Sequence, residues 1–381
     1  MKIISKPVRI FLLLINVLMV AVSGMVFVIG DFMAKTQTYN YAAQRWSQDT
    51  DYAQVSCFLK EDSGFTKDNI DTLKFELVTA LKEAGADAEG QGSKPYPEAY
   101  SISAGVQTLK SNRNVKSDTD VTVVGGDFFT FHAFELLDGS YLYDDDTMQD
   151  GILIDHDLAW TLYGTVEVSG LAVYIGDAKF YISGVVETPS TKVEKQCSGS
   201  LPKAYITYEG AERIGLSSSG EDNAMNTDSA NKTSYVEKKF NKINCYECML
   251  PCPVEKFAYE KVKKFFEENY KNKYEIVDNT GRFEPSLMYN NHKKLYKYFI
   301  DDSSISYPYW ENASRIMEYK LSNLYFWQRM LLVCPFIAAV CMFVKVYRAG
   351  GVLKARLKAK ASDKYDRFRT RKYKRENYGE N

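Results

Sequence analysis

Apolar residues are unevenly spread along this 381-residue chain. Two unbroken runs stand near its ends. Ile10 to Gly30 is 21 residues long, with only Asn16 and Ser23 clearly polar. A helix rises about 1.5 Å per residue, so such a run spans a hydrocarbon layer of about 30 Å. A cleaved signal sequence carries a shorter apolar run, of about 7 to 15 residues, closed by a small-residue site. No such site closes this run, so the pattern predicts an uncleaved anchor. Met330 to Val344 is a second run, of 15 uncharged residues. Extension back through Leu324, Tyr325, Phe326 and Trp327 reaches bilayer length but takes in Gln328 and Arg329. An Arg near a helix end can snorkel to the headgroups, the aromatics form an interfacial belt, and Pro335 is tolerated inside a membrane helix. The alternative is a buried helix of a soluble protein, against which the basic tail argues.

Between the runs the pattern switches repeatedly from period two to the helical period. Asp31 to Asp49 is polar and aromatic without proline, and is expected to continue the first helix as a stalk. Tyr52 to Leu59 alternates, with Ala53, Val55, Cys57 and Leu59 on one face, as a strand does. Thr66 is a candidate N-cap for a helix that presents Ile70, Leu73, Leu77, Val78 and Leu81 on one side and ends at Gly85. Asp87 to Ser117, rich in Gly, Ser, Asn and Pro, reads as loop with short strands. Asp120–Val124 and Ile152–Ile154 read as strands, with a short helix at Asp157–Leu162. Leu171–Ile175 and Phe180–Val186 are strands joined across Gly176-Asp177, a hairpin signal. Ala204–Tyr208 is one more strand, and Ser217–Ser234 reads as a surface loop. Pro253 is expected to start a helix with Val254, Phe257, Ala258, Val262, Phe265 and Phe266 on one face, before a strand at Tyr274–Val277. Glu311 to Tyr347 has Pro335 as its only proline and reads as one long helical rod. Interleaved strands, hairpins and helices predict an α+β class with two αβ subdomains, flanked by two transmembrane α-helices.

Charge adds orientation. The whole chain sums to −1, yet Met1–Arg9 carries +3 and Lys345–Asn381 carries +9, which leaves about −13 for the middle. Lys and Arg stay on the cytoplasmic side. Both ends are therefore expected inside a plasma membrane, with the acidic centre outside. The expected layout is a cytoplasmic N-terminus at 1–9, a first membrane helix at 10–30 and an extracytoplasmic domain at 31–323. A second membrane helix at 324–345 and a basic cytoplasmic tail at 346–381 complete it. The tail suits anionic lipid, at about 1 kcal/mol per basic residue near the surface. Docking on a cytoplasmic protein is an alternative, and nucleic acid is not expected.

Candidate chemistry is sparse. No Walker A loop, dinucleotide fingerprint, H-E-x-x-H or G-x-S-x-G motif occurs. His132, His156 and His292 are scattered. Asp155-His156-Asp157 resembles part of a catalytic set but reads better as a solvated turn. Cys245, Cys248 and Cys252 cluster, yet the nearest histidine, His292, is 40 residues further on, so a zinc set lacks its fourth ligand. With Cys57 and Cys197 the outer cysteines number five, which leaves a single disulfide or unremarkable thiols open. Asn231 and Asn312 head short glycosylation-type sequons. No catalytic, cofactor-binding or metal-binding residue is predicted, and no enzymatic activity.

One block carries a resemblance. VTVVGGDFFTFHAFELLDGSYL, from Val121 to Leu142, resembles the periplasmic core domain of MacB- and FtsX-type ABC transporter permeases. Asp127, Phe128, Phe129, Leu137 and Gly139 match the family's "D-F-F" and "L-x-G-R" elements, with Ser140 where the family usually has Arg. Gly151–Gly164 is similar to its strand and "A-x-x-L-F-G" helix, Gly170–Glu187 to its hairpin, and Ser200–Tyr208 to the proline-led strand that follows. Cys245–Ala258, Asp278–Phe283 and Tyr307–Arg315 resemble stretches of permease-like proteins of Firmicutes. The resemblance implies a non-catalytic ectodomain that moves with a cytoplasmic ABC ATPase dimer. Family permeases have three membrane helices after the ectodomain, whereas this chain has one apolar run and then a hydrophilic tail. It therefore implies a partial subunit that pairs with a fuller permease or forms a homodimer. A stand-alone bitopic receptor, sensor or adhesion module with the same ectodomain is the alternative.

Overall fold

A computed structural model describes residues 6–47, 51–86, 95–144, 146–216, 242–291 and 304–378. Ser217–Ser234 and Asn231 lie outside the described residues, as does His292. The chain divides into two compact units, Phe32–Ser322 and a second made of Met1–Asp31 with Asn323–Asn381.

Among the described residues, the Phe32–Ser322 unit is built on ten strands: β1 (Tyr52–Leu59), β2 (Glu98–Ser111), β3 (Lys116–Gly126), β4 (Glu135–Gly139), β5 (Gly151–Asp155), β6 (Ala172–Ile175), β7 (Ala178–Glu187), β8 (Lys203–Thr207), β9 (Cys245–Pro251) and β10 (Tyr274–Asp278). Their order is β10-β1-β9-β2-β3-β8-β5-β7-β4, with β6 paired to both β2 and β7. The β3–β8 and β5–β7 pairs are parallel and the rest antiparallel. Because β6 bridges β2 and β7, strands β2, β3, β8, β5, β7 and β6 close into a ring. The four-stranded stretch β10-β1-β9-β2 extends away from it. The two αβ subdomains expected from the sequence are these two parts, and they share β2.

Two layers cover the strands. On one face α3 (Lys67–Glu83), α5 (His156–Tyr163), α7 (Tyr208–Arg213) and α8 (Phe257–Asn269) bury the main apolar core, including Ile70, Leu73, Leu77, Ile154, Leu158, Val262 and Phe266. Thr66 caps α3 in a capping box with Asn69, and Gly85 follows the helix with φ +68°. The opposite face carries an aromatic core of Tyr39, Phe128, Phe131, Phe134, Tyr205, Tyr309 and Trp310. These residues come from the turn at Thr38–Tyr41, from α4 (Phe128–Phe131) and the connection from it to β4, from β8 and from the start of α10 (Tyr309–Tyr378). The short helices α2 (Ala42–Trp46), α6 (Lys192–Cys197) and α9 (Pro285–Asn291) complete the set.

Four local readings change. Helix α1 (Lys6–Lys35) ends well before Asp49, so no helical stalk continues it; the chain turns at Thr38–Tyr41 to tuck Tyr39 and Asn40 inside. The stretch expected as loop up to Ser117 is mostly the 14-residue strand β2 and the start of β3. A bulge between Ser103 and Val106, with Gly105 at φ +65°, breaks the period-two alternation that would have revealed it. Helix α8 begins at Phe257, not Pro253, and Val254 is 67% exposed. Helix α10 runs from Tyr309 to Tyr378, through Pro335 and into the basic tail, rather than stopping at Tyr347.

In the other unit, α1 and the apolar part of α10 are each long and apolar enough to cross a membrane. Within that unit they touch: Gln328 Nε2 donates to Ser23 O at 3.3 Å, and Phe27 and Tyr325 lie 6.3 Å apart between ring centroids. A Cβ on Gly30 would stand 2.7 Å from the Tyr325 hydroxyl, so glycine there admits the tyrosine ring.

Candidate functional site

The candidate chemistry noted in the sequence divides between the two faces. Asp155 is buried and caps α5: its carboxylate accepts from Leu158 N at 2.8 Å and Lys203 N at 2.6 Å. It does not orient His156, which is exposed and contacts Asp157 at 3.2 Å. Asp155-His156-Asp157 is therefore a helix start. All seven cysteines are free. Cys245 and Cys248 both sit on β9, but an odd spacing on a strand sends side chains to opposite faces. Cys248 joins the main core and Cys245 packs with Phe58 on the other side. Among the described residues no group of three or more His, Cys, Asp or Glu could hold a metal.

Burial pushes the Asp155 carboxyl up to about 7, against the pull of its two backbone donors and Lys203. An ordinary aspartate titrates at about 3.9, so the folded state holds this proton more tightly than the unfolded chain. The stabilisation is complete below about pH 4 and is lost as pH rises through about 7. Asp155→Asn keeps the cap acceptor and removes the titration. Thermal midpoints of the full-length variant, measured from about pH 4 to 8, should fall less steeply with pH than those of the wild type. An unchanged slope would contradict this account.

What sequence reasoning missed lies on the second face, where buried polar and charged groups join into one network. It is built largely from two of the family-like stretches, Asp278–Phe283 and Tyr307–Arg315. Arg282, 6% exposed, follows β10 and grips Glu311 of α10, 2% exposed, with both terminal nitrogens. NH1 lies 2.8 Å from Oε2 and NH2 3.0 Å from Oε1. Arg282 Nε donates to Glu318 Oε2 at 3.3 Å, and its NH1 to Asn279 Oδ1 at 3.2 Å. Arg315, one helical turn after Glu311, donates to Glu311 Oε1 at 2.8 Å and to Glu275 Oε1 of β10 at 2.9 Å. Its guanidinium lies 3.8 Å over the Tyr307 ring. Burial alone would raise the Glu311 pKa, but Arg282 and Arg315 hold it below the ordinary glutamate range.

From this clamp the hydrogen bonds continue into the sheet. Ser314 Oγ donates to Asn40 Oδ1 at 2.9 Å, Asn40 Nδ2 to Asn279 Oδ1 at 2.9 Å, and Asn279 Nδ2 to Ser56 Oγ at 2.8 Å. Ser56 Oγ donates to Glu247 Oε1 at 2.7 Å, and the other Glu247 oxygen meets His132 Nε2. Gln54 ties the turn after α1 to β1, accepting from Ala42 N at 3.0 Å and donating to Tyr39 O at 2.7 Å. The network thus joins three things: the centre of the sheet, the segment that follows α1 and the first turns of α10. Such groups have no water to fall back on, so their geometry is strongly specified. A sequence signal did exist. Glu311, Arg315 and Glu318 share a helical face, as do the core residues Trp310, Ala313, Met317 and Leu321, which leaves α10 little surface for solvent here.

The chain matches the family model described as the MacB-like periplasmic core domain over residues 13–241, more than half of its 381 residues. The chain belongs to the MacB-like periplasmic core domain family. This family is a permease component of ABC transporters rather than a catalytic enzyme. The MacB-like block explains its own glycine. Gly139 at the end of β4 has φ +73°, and a Cβ there would stand 2.1 Å from Ser183 O. Asp138 beside it accepts from Ser169 N at 2.8 Å and Val168 N at 2.9 Å, and these backbone donors, Ser169 first, lower its pKa. Phe128 of the "D-F-F" element is a centre of the aromatic core.

Several solved structures are similar, two of them as follows. The periplasmic region of MacB from Actinobacillus actinomycetemcomitans is 14% identical with a TM-score of 0.38; the match covers 62% of this chain and 92% of that one. The extracellular domain of the noncanonic ABC-type transporter YknZ from Gram-positive bacteria is 13% identical with a TM-score of 0.37, over 59% and 99%. No curated protein matches the chain.

Proposed function

We propose that this chain is a non-catalytic, permease-like subunit of an ABC-type transporter, in which the ectodomain exchanges conformational change with the membrane helices. The observation that supports the reading is the buried network that binds β1, β9 and β10 to Asn40 and to Glu311, Ser314, Arg315 and Glu318. A buried ion cluster with several mutual bonds resists small distortion and so passes displacement rather than absorbing it. Two sequence features supply the rest: basic flanks hold both termini in the cytoplasm, and the acidic ectodomain lies outside the plasma membrane. In this arrangement 10–30 and 324–345 span the bilayer and 346–381 meets anionic lipid. In this reading a cytoplasmic ABC ATPase and a fuller permease subunit, or a second copy of this chain, complete the assembly.

The test is crosslinking in native membranes, gentle solubilisation and capture of the full-length chain. The expected result is recovery of an ABC ATPase together with a polytopic membrane subunit. Recovery of the chain without any ATPase, under conditions that preserve a known ABC complex, would overturn the reading in favour of a stand-alone receptor.

A further inference from the structure

The polar face has one feature that the network does not use. A cavity of about 460 Å³ opens beside the start of α10, between β2, β3 and β8. That volume lies within the range of small-molecule sites. Ser103 and Thr122, directly opposite each other on β2 and β3, line its floor with hydroxyls, and Asn244 adds an amide. Lys203, its side chain 3% exposed, lines one wall and is held by Asp120 Oδ2 at 2.7 Å and Ser198 O at 2.6 Å. An ammonium has three donors, so one remains. The exposed Lys242 and Glu61 stand at the lining too. The lining therefore holds two lysines and two carboxylates, of which Lys203 and Asp120 are paired.

The remaining donors set the preference. Helix α10 starts after Pro308, and its first intrahelical bond is Asn312 N to Pro308 O at 3.1 Å. The N–H groups of Tyr309, Trp310 and Glu311 precede it and find no acceptor among the described residues. They carry the positive end of the dipole of a long helix. Trp310 also lines the cavity; it is 5% exposed, and its indole N–H has no partner among the described residues. A buried donor without an acceptor is costly and is normally satisfied. The Glu311 carboxylate does not compete, because Arg282 and Arg315 occupy it.

We propose that this cavity is a binding site for a small oxyanion, a phosphate or carboxylate group, received by the first turn of α10, the Trp310 indole and Lys203, with Lys242 at the rim. The site stands independently of the transporter reading, since it needs no ATPase partner. An occupant would touch the same turn of α10 that carries Glu311, so it would also bear on the clamp.

The test uses the full-length protein in detergent, labelled with fluorotryptophan. Its four tryptophans give separate fluorine resonances, and Trp310→Phe identifies the one of interest. Sodium phosphate and sodium acetate are titrated separately over the millimolar range, with chloride holding ionic strength constant. The expected result is a saturable shift confined to the Trp310 resonance. Lys242→Met, at an exposed position, should raise the half-saturation concentration about threefold to tenfold, the loss of one charge-assisted contact. Tighter phosphate binding assigns a phosphate-bearing ligand, and tighter acetate binding a carboxylate. Absence of a saturable shift with either ion, or an unchanged curve in Lys242→Met, would overturn the site.

Discussion

Arg282→Met should lower the stability of the full-length protein by about 3–5 kcal/mol, because it removes the one guanidinium that two buried carboxylates share. Glu311 and Glu318 would both lose the same guanidinium, while Arg315 stays on Glu311. Arg282→Lys should recover part of the loss, since an ammonium supplies the charge but not the two parallel bonds to Glu311. The measurement is the denaturant midpoint of the full chain. A double-mutant cycle with Glu311→Gln isolates the pair, with an expected coupling of about 1–3 kcal/mol. Additive single effects would mean that the clamp is incidental to the fold. Acid should release the clamp late: the lowered Glu311 pKa keeps its contribution in place above the ordinary glutamate range and loses it only as pH falls through the lowered value. A clamp that resists acid but yields to loss of one arginine is what rigid coupling between β10 and α10 requires.

Gly139→Ala is the second large effect. The new methyl would stand 2.1 Å from Ser183 O and 2.8 Å from the Gly184 Cα, both backbone atoms of β7. Neither can move without breaking the β4–β7 pairing. The positive φ adds a left-handed penalty of about 1–2 kcal/mol, and the clash adds several more by the usual cost of overpacking. The expected loss is about 3 kcal/mol or more, read as a lower thermal midpoint or failure to accumulate folded protein. Gly164→Ala is the control: it has φ +74° but nothing within 4 Å of the added Cβ, so it should pay the backbone term alone. Equal effects at the two positions would show that the contact with β7 is not what demands glycine at Gly139. The family-like "L-x-G" element would then need another explanation.

Much of the fold could be read from local pattern. Strand β1, helix α3 with its Thr66 cap, the β6–β7 hairpin and α5 each announce themselves within about ten residues. Where the pattern failed, a local irregularity or a long-range demand outweighed it. The Gly105 bulge disguised β2 as loop. The aromatic core drew Tyr39 inward and ended the helix that continuity of polar residues would have extended. Asp155 read as part of a solvated turn because its neighbours are polar, and only its burial and its bonds to Leu158 N and Lys203 N show it to be a buried helix cap. The cysteine cluster dispersed because β9 is a strand. The clamp left only a local trace, the shared helical face of Glu311, Arg315 and Glu318 on α10, and its long-range partners left none. Asn40, Ser56, His132, Glu247, Asn279, Arg282 and Glu311 span some 270 residues of sequence, and no pattern of spacing relates them.

Sequence alone determined the apolar runs, the acid centre between basic ends, the mixed α+β class and the MacB-like block, because each depends on neighbours within a few turns or strands. Tertiary structure alone decided that β2 belongs to both subdomains, that Gly139 must pass the β7 backbone, and that α10 begins on a buried ion cluster. Those features arise where distant segments meet out of water, and there burial sets the energy of a charge or a methyl group more than residue type does.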